Sequence, residues 1–349
     1  MGRRKIKLRN LIGILKDRAS IIKATLSIDR HVSSIHVAIL RATTHHPSTS
    51  PSENRITAVL RLGNSSRLTS CTCIVALMDR LHATHSAPVA LKCLFTAHNI
   101  VSNGSFILRD QLSFYPSTGG QNFLNLSMFR DDSNVDMWDL SSWVRWYAGV
   151  VEQNLIVSRV LGYYLSSSSF SSLNIYVNNK KETIRDDKLS VLLNSDLLWE
   201  VDVLVDDVER ISDAPESLHL RRNSLVYEAV TLVGEDYRLV QRELWVRFKE
   251  LGDRMEGLSS IELTRLLAAL KTVEDCRERL VLLFVNRKMN VAFWDLIRQT
   301  KTKLVEMKEK REQKRLEWTT SGLELDKTSE STQFWNPFVE SGPAVSVSV

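Results

Sequence analysis

Thirteen glycines, seven prolines and four cysteines are few for a chain of 349 residues. So little glycine and proline argues against an all-β chain, which needs many tight turns. The thiols, Cys71, Cys73, Cys93 and Cys276, are too few and too unevenly placed for a disulfide framework. Cys71-Thr72-Cys73 also lacks the two-residue spacer of a zinc or redox pair, so buried free thiols are expected. Long hydrophobic runs are missing: nothing approaches the ~20 apolar residues of a membrane span, and "LIGIL" (11–15) is too short for a signal-peptide core. Catalytic signatures are missing as well. There is no Gly-rich phosphate loop, no His-Glu-x-x-His and no Gly-x-Ser-x-Gly. The expectation is a non-enzyme without a cofactor.

What is present is an ordinary globular balance, 43% apolar and 25% charged, with an uneven distribution of charge. Residues 1–23 hold Arg3, Arg4, Lys5, Lys7, Arg9, Lys16, Arg18 and Lys23 against Asp17 alone. Eight minus one gives +7, and the chain total of +5 leaves −2 for everything else. Such a basic arm implies an acidic partner. Leu8, Leu11, Ile12, Leu15, Ala19, Ile22 and Leu26 recur at three- and four-residue spacing, and the cations lie mostly off that stripe. Two readings fit: a basic amphipathic helix lying in a membrane interface, or a first core helix with a solvated basic side. A nucleic-acid partner is not expected, because no aromatic residues interleave the cations as stacking platforms.

Beyond the arm, helical periodicity runs through the chain. Helices are expected over Val32–Ala42, Arg55–Leu62, Leu68–His85, Pro88–Val101, Ser105–Phe114, Asn122–Phe129 and Met137–Leu165. Others are expected over 188–210, 217–233, 235–252, 260–285 and 290–318. No stretch sustains period-two alternation, so the class is all-α with short connections. "VALKCLFTAHNIV" (89–101) is apolar nearly all round and reads as a central buried helix. From Thr319 the composition turns to Ser, Thr, Gly, Glu and Pro, which predicts a disordered tail.

Two clusters invite chemical readings. Asp131-Asp132 with Asp136 is similar to the Asp-rich motif of all-α prenyl-diphosphate synthases, but the required second motif is absent, since Asp206-Asp207 has no spaced third acid. Helix capping by Asp131 to Asp136 is the alternative. His45-His46 are adjacent, so they cannot share a helix face as metal ligands at i and i+4 would; loop histidines or a helix-end contact are expected.

Between two expected helices lies "RATTHHPSTSPSENR" (41–55), a polar loop flanked by Arg41 and Arg55. With "ALKCLFTAHNIVSNG" (90–104), "FLNLSMFRDD" (123–132), "SSWVRWYAGVVEQNL" (141–155), "VGEDY" (233–237) and "LVQRELWVRFKEL" (239–251), it resembles the ANTH domain of PICALM-like clathrin-assembly proteins, in a short plant-type form, over residues 6 to 290. The resemblance implies a right-handed helical solenoid. Together with the charge and composition above, it divides the chain into a basic helix (1–26), an ANTH-like domain (27–290), a charged helix (291–318) and a tail (319–349). It implies binding of phosphatidylinositol 4,5-bisphosphate at clathrin-coated pits and vesicles of the plasma membrane, with the Golgi as a further site. The implied headgroup site is Lys-Ala-Thr, a loop, and Pro-Lys-x-Lys-His. Arg41-Ala42-Thr43 stands for the first part. Pro51 aligns with the proline, Ser52 and Asn54 replace the two lysines around Glu53, and Arg55 replaces the histidine. At about 1 kcal/mol per cation beside an anionic bilayer, those changes weaken the loop by about 2–3 kcal/mol, which the arm could offset. The lipid-binding residues expected are therefore Arg41, Thr43 and Arg55, with Lys5, Lys7, Arg9 and Lys16.

The tail adds peptide motifs. Asn336-Pro337-Phe338 favours a turn that projects its phenylalanine and resembles the ligand of EH domains. "GLELD" (322–326) resembles a clathrin-box peptide through Leu323, Leu325 and Asp326, with Gly322 in place of the first leucine. The resemblance also implies a vesicle SNARE partner. The alternative function is a helical interaction module with a degenerate lipid site, acting through its tail.

Overall fold

The computed structural model describes residues 2–26, 29–115, 124–165, 189–216, 223–284 and 290–327, with side chains from 11 to 316. These form twelve α-helices and no strand. They are α1 (Gly2–Thr25), α2 (Arg30–Ala42), α3 (Glu53–Gly63), α4 (Arg67–Ala83), α5 (Ala87–Asn103), α6 (Phe106–Ser113), α7 (Val135–Leu161), α8 (Asn194–Ser212), α9 (Ser224–Asp253), α10 (Ser260–Asp275), α11 (Arg277–Leu283) and α12 (Val291–Lys327). A 3₁₀ turn, Met255–Gly257, follows α9. Packing is mostly between helices close in sequence, α1 on α2, α2 on α3 and α4, α4 on α5 and α6, α5 on α7, α7 on α8, α8 on α9 and α10. That is the all-α solenoid expected. Met1–Lys301 is one compact unit and Thr302–Val349 a second.

Local chemistry explains the ends of the helices. Asp29 starts α2 by accepting from His31 N and Val32 N, and Ser66 closes a capping box with Thr69 at the start of α4. Gly162, at φ 73°, ends α7 in the left-handed region that glycine tolerates best. The helix α5 begins with Pro88 in its first turn and buries every residue from Ala87 to Val101, as its sequence predicts. Its opening N–H, at Ala87, is satisfied from 44 residues away by Asp131 Oδ2 at 2.9 Å. Asp131 also accepts from Ser133 N at 3.2 Å, and Asn134 caps α7 through Met137 N at 2.8 Å. The acidic stretch at 131–136 is thus organised as turn and cap.

Several expected elements come out differently. Within Asn122–Phe129, the described residues from Leu124 form turns: Asn125 sits at φ 53°. Leu124 and Leu126 are the buried anchors, two apart, so helical spacing does not hold. Where the helices at 217–233 and 235–252 are expected, the described residues form one continuous α9 from Ser224 to Asp253, with Gly234 on its buried face. The helix expected over 260–285 breaks around Cys276 into α10 and α11. The last helix continues to Lys327, so Leu323, Leu325 and Asp326 stand on helical backbone inside the stretch expected to be tail. Leu, Glu and Lys are strong helix formers, and Gly322 costs about 1 kcal/mol against them. Asn336, Pro337 and Phe338, and the loop expected at 166–187, lie outside the described residues.

A buried polar cluster joins α5, α7, α8 and α9. His98 Nδ1 is 2.9 Å from the Tyr147 hydroxyl and its Nε2 is 2.6 Å from Asp236 Oδ2. Asn154 Nδ2 donates to the same oxygen at 2.8 Å. Beside them Asp207 is 1% exposed, and its Oδ1 has no hydrogen-bond partner among the described residues. Burial, and then the neighbouring Asp236 carboxylate, push the Asp207 carboxyl well above its ordinary value. A carboxyl raised in the folded state gives stability that is complete below its unfolded value, 3.8, and is lost as pH rises toward the folded value. Asp207→Asn removes that loss. The variant is expected to be more stable than wild type at pH 7, with the gap closing toward pH 4. Urea unfolding at both pH values checks it, and a destabilised variant at pH 7 would mean that Asp207 is ionised and needed as such.

Candidate membrane-binding site

The first helix turns its apolar stripe away from the body. Leu11 is 56% exposed, Leu15 63% and Ile22 60%, and Ile12, Ala19 and Leu26 are exposed with them. At ~100° per residue these six positions occupy one side of the helix. Lys16 and Lys23 flank the stripe on one edge and Arg18 on the other, all exposed. The inward face is Gly13 and Asp17, buried, with Ser20, Ile21 and Ala24 half-buried. Of the two sequence readings, a core helix would have hidden the leucines. Lys5, Lys7 and Arg9 stand on the α1 backbone, and their side chains lie outside the description.

Beside α1 runs the connection from Thr43 to Ser52, held from four helices. From α1, Asp17 Oδ2 accepts the His45 backbone N–H at 2.9 Å, and Asp17 Oδ1 lies 2.6 Å from His45 Nδ1. From α4, Arg80 Nη2 reaches Asp17 Oδ1 at 3.4 Å and donates to Thr43 O at 3.3 Å. From α5, Lys92 Nζ donates to Thr44 O at 2.9 Å, Thr44 Oγ1 at 3.2 Å and His46 O at 2.7 Å. From the start of α9, Asn223 Nδ2 donates to Pro47 O at 3.4 Å and the Ser224 hydroxyl to Ser48 O. Pro51 is buried at the far end.

Two of the ionisable groups in this scaffold are shifted by their surroundings. Lys92 is 1% exposed. Burial pushes its ammonium down to about 8, with the Asp17 charge opposing and the Arg55 charge assisting the fall. Burial works to raise the Asp17 carboxyl, but the ring and backbone donors of His45, with Arg80, outweigh it and leave the group below its ordinary value.

The expected headgroup residues separate on this frame. Arg41 is exposed on the last turn of α2 and Arg55 in the first turn of α3. Thr43 is corrected: it is 0% exposed, and its hydroxyl donates to Ile39 O at 2.7 Å. It finishes α2 and offers no donor to the surface. Ser52, Glu53 and Asn54 are exposed where the resemblance calls for lysines. His46, which faces out with Nδ1 3.1 Å from Thr49 Oγ1, adds a polar group. Sequence reasoning missed Asp17, Arg80 and Lys92. Two of these left a trace, a lone acid in a basic arm and a lone lysine in an apolar run.

The chain is thus an all-α solenoid that presents an outward basic-apolar helix next to a braced polar loop. The ANTH domain model matches residues 34–241. The chain is 43% identical to "Putative clathrin assembly protein At4g40080" of Arabidopsis thaliana over 274 residues, 78% of this chain and 73% of that one. It is 31% identical to "Putative clathrin assembly protein At5g10410" of the same organism over 301 residues, 84% of each. It is 29% identical to "Putative clathrin assembly protein At5g65370", also of Arabidopsis thaliana, over 310 residues, 84% of this chain and 99% of that one. The chain belongs to the ANTH-domain family. Among the described residues no helix is long and apolar enough to cross a membrane.

Proposed function

We propose that this protein is an endocytic clathrin adaptor that attaches peripherally to phosphoinositide-containing membranes. The observation that carries the membrane part is the outward stripe Leu11, Leu15 and Ile22 with Lys16, Arg18 and Lys23 on its edges, placed beside a loop flanked by exposed Arg41 and Arg55. Apolar side chains on such a helix enter the headgroup boundary while the cations meet anionic lipid. Clathrin enters through the names of the relatives, with Leu323, Leu325 and Asp326 as the peptide to test. An EH-domain protein is the partner proposed for Asn336-Pro337-Phe338, and a vesicle SNARE is a further one. Clathrin-coated pits of the plasma membrane are the proposed site of action.

The second reading, a helical interaction module with a degenerate lipid site, is favoured by one feature: Ser52, Glu53 and Asn54 leave the loop with fewer cations than the family pattern. Co-sedimentation with vesicles holding phosphatidylinositol 4,5-bisphosphate, against phosphatidylserine vesicles of matched surface charge, separates the two. The adaptor reading expects a preference for the bisphosphate. Removing two cations in Arg41→Ala/Arg55→Ala is expected to cost about 2 kcal/mol, about thirty-fold in affinity for those vesicles. Sedimentation with neither kind of vesicle would leave the tail as the functional part.

A further inference from the structure

We infer that Asp17 and His45 are positioning residues that join the membrane helix α1 to the headgroup loop, so that seating the helix in a bilayer sets the loop's preference among anionic headgroups. The inference rests on the membrane reading above and adds a coupling between its two parts.

Three observations meet at His45. Asp17 is the only acid among the first 23 residues, and it is turned inward at 7% exposure. There it takes both the backbone N–H and the ring nitrogen of His45, at 2.9 and 2.6 Å. One turn earlier on the same face, Gly13 lets the helix come so close that a Cβ would stand 2.8 Å from His45 Cβ. Arg80 then bridges Asp17 and the Thr43 carbonyl, so Asp17 and the end of α2 share one cation. The opposite side of the same short segment is fixed by Lys92 at Thr44 and His46. A rotation or lift of α1 therefore moves the loop at His45 while Lys92 holds it at Thr44 and His46. The exposed groups that would meet a headgroup, Arg41, His46 and Arg55, sit on either side of that point. A braced loop also loses less conformational freedom on binding.

The test uses the full chain, with Asp17→Ala, Gly13→Ala and Asp17→Asn, on the two kinds of vesicle named above. The quantity read is the ratio of the two dissociation constants. Asp17→Ala and Gly13→Ala are expected to reduce the wild-type preference for the bisphosphate at least about five-fold. Asp17→Asn keeps one oxygen for the His45 N–H and should fall between. Binding of Asp17→Ala to phosphatidylserine should hold, because the outward stripe and its flanking cations are untouched. A merely structural role would weaken both kinds of binding together and lower the melting temperature.

Hydrogen exchange on the wild-type chain gives a second measure that does not depend on the variants folding. On bisphosphate vesicles, the amides of α1 and of Thr44, His45, His46 and Ser48 should gain protection together. An unaltered ratio in well-folded variants, or protection of the loop without α1, overturns the coupling while the membrane reading stands. Absence of wild-type binding to any vesicle overturns the membrane reading and this inference with it.

Discussion

Replacing Leu11 and Leu15 with glutamate is expected to keep the protein in the supernatant when anionic vesicles are sedimented, with no change in its melting temperature. Both side chains are more than half exposed, 56% and 63%, so the folded chain loses little packing when they go. On a bilayer the same side chains leave water. Full burial of a leucine is worth about 1.5–3 kcal/mol, and roughly half of each remains to be buried, which gives about 2–3 kcal/mol for the pair. Two carboxylates brought to an anionic surface add about 2 kcal/mol of repulsion, on the scale of the gain per cation. The sum, about 4–5 kcal/mol, is about three orders of magnitude in affinity. Co-sedimentation together with a circular dichroism melt checks both halves. Retained binding would mean that α1 does not enter the bilayer. Lost binding with a lowered melt would mean that its stripe is a packing surface in solution.

Lys92→Met is expected to lower stability by about 2 kcal/mol at pH 7 and by about 5 kcal/mol near pH 10.5. The first figure follows from leaving the Thr44 and His46 carbonyls without their buried donor, a loss of about 1–3 kcal/mol for each group, partly offset by removing a buried charge. The second comes from proton linkage. The Lys92 ammonium has an ordinary value of 10.5 and falls to about 8 in the fold. Between those values the unfolded chain holds a proton that the folded chain has released, so the site's contribution to stability rises with pH across that window. A shift of this size is worth about 3 kcal/mol. Methionine cannot titrate, so the difference between the two proteins should be flat below about pH 8 and widen above it. Buried thiols and phenols common to both proteins cancel in that difference. Urea unfolding at pH 7, 9 and 10.5 checks it, and a constant difference would show that the amine keeps its ordinary value.

A functional consequence accompanies the second prediction. Without Lys92 the segment 44–46 loses its inner anchor while Asp17 still holds His45 from outside. The two variants therefore test opposite sides of one loop. Asp17→Ala frees it from α1, and Lys92→Met frees it from α5.

The all-α class, the buried run of α5 and the stripe on α1 were legible in the sequence, because helical periodicity is a local property that side-chain spacing records directly. Boundaries were less so. The split at Cys276 and the continuity of α9 through Gly234 depend on what packs against each helix, and the turns after Leu124 depend on a positive φ at Asn125. Glu152 and His82 meet the backbone of Leu124 there, at 2.8 and 3.1 Å, and neither is near it in sequence.

The cations of the candidate site were also readable as types and positions, Arg41 and Arg55 at the ends of a loop and Lys16 on a helix. Their scaffold was not. Spacing gives the width of the leucine stripe on α1 and says nothing about which way it faces. That direction is decided by a second, weaker face, Gly13 with Asp17, which fits His45 and Arg80 closely enough to be the side that docks. Lys92 shows the same limit. In sequence it is one charge in an apolar run, and it acquires a role only where the fold brings the Thr44 and His46 carbonyls to its amine. Composition and periodicity determined an all-α chain with a basic apolar-striped arm. Tertiary structure decided that the stripe faces outward and the lone acid inward, because hydrogen bonds and close packing across distant segments follow from geometry that no local pattern contains.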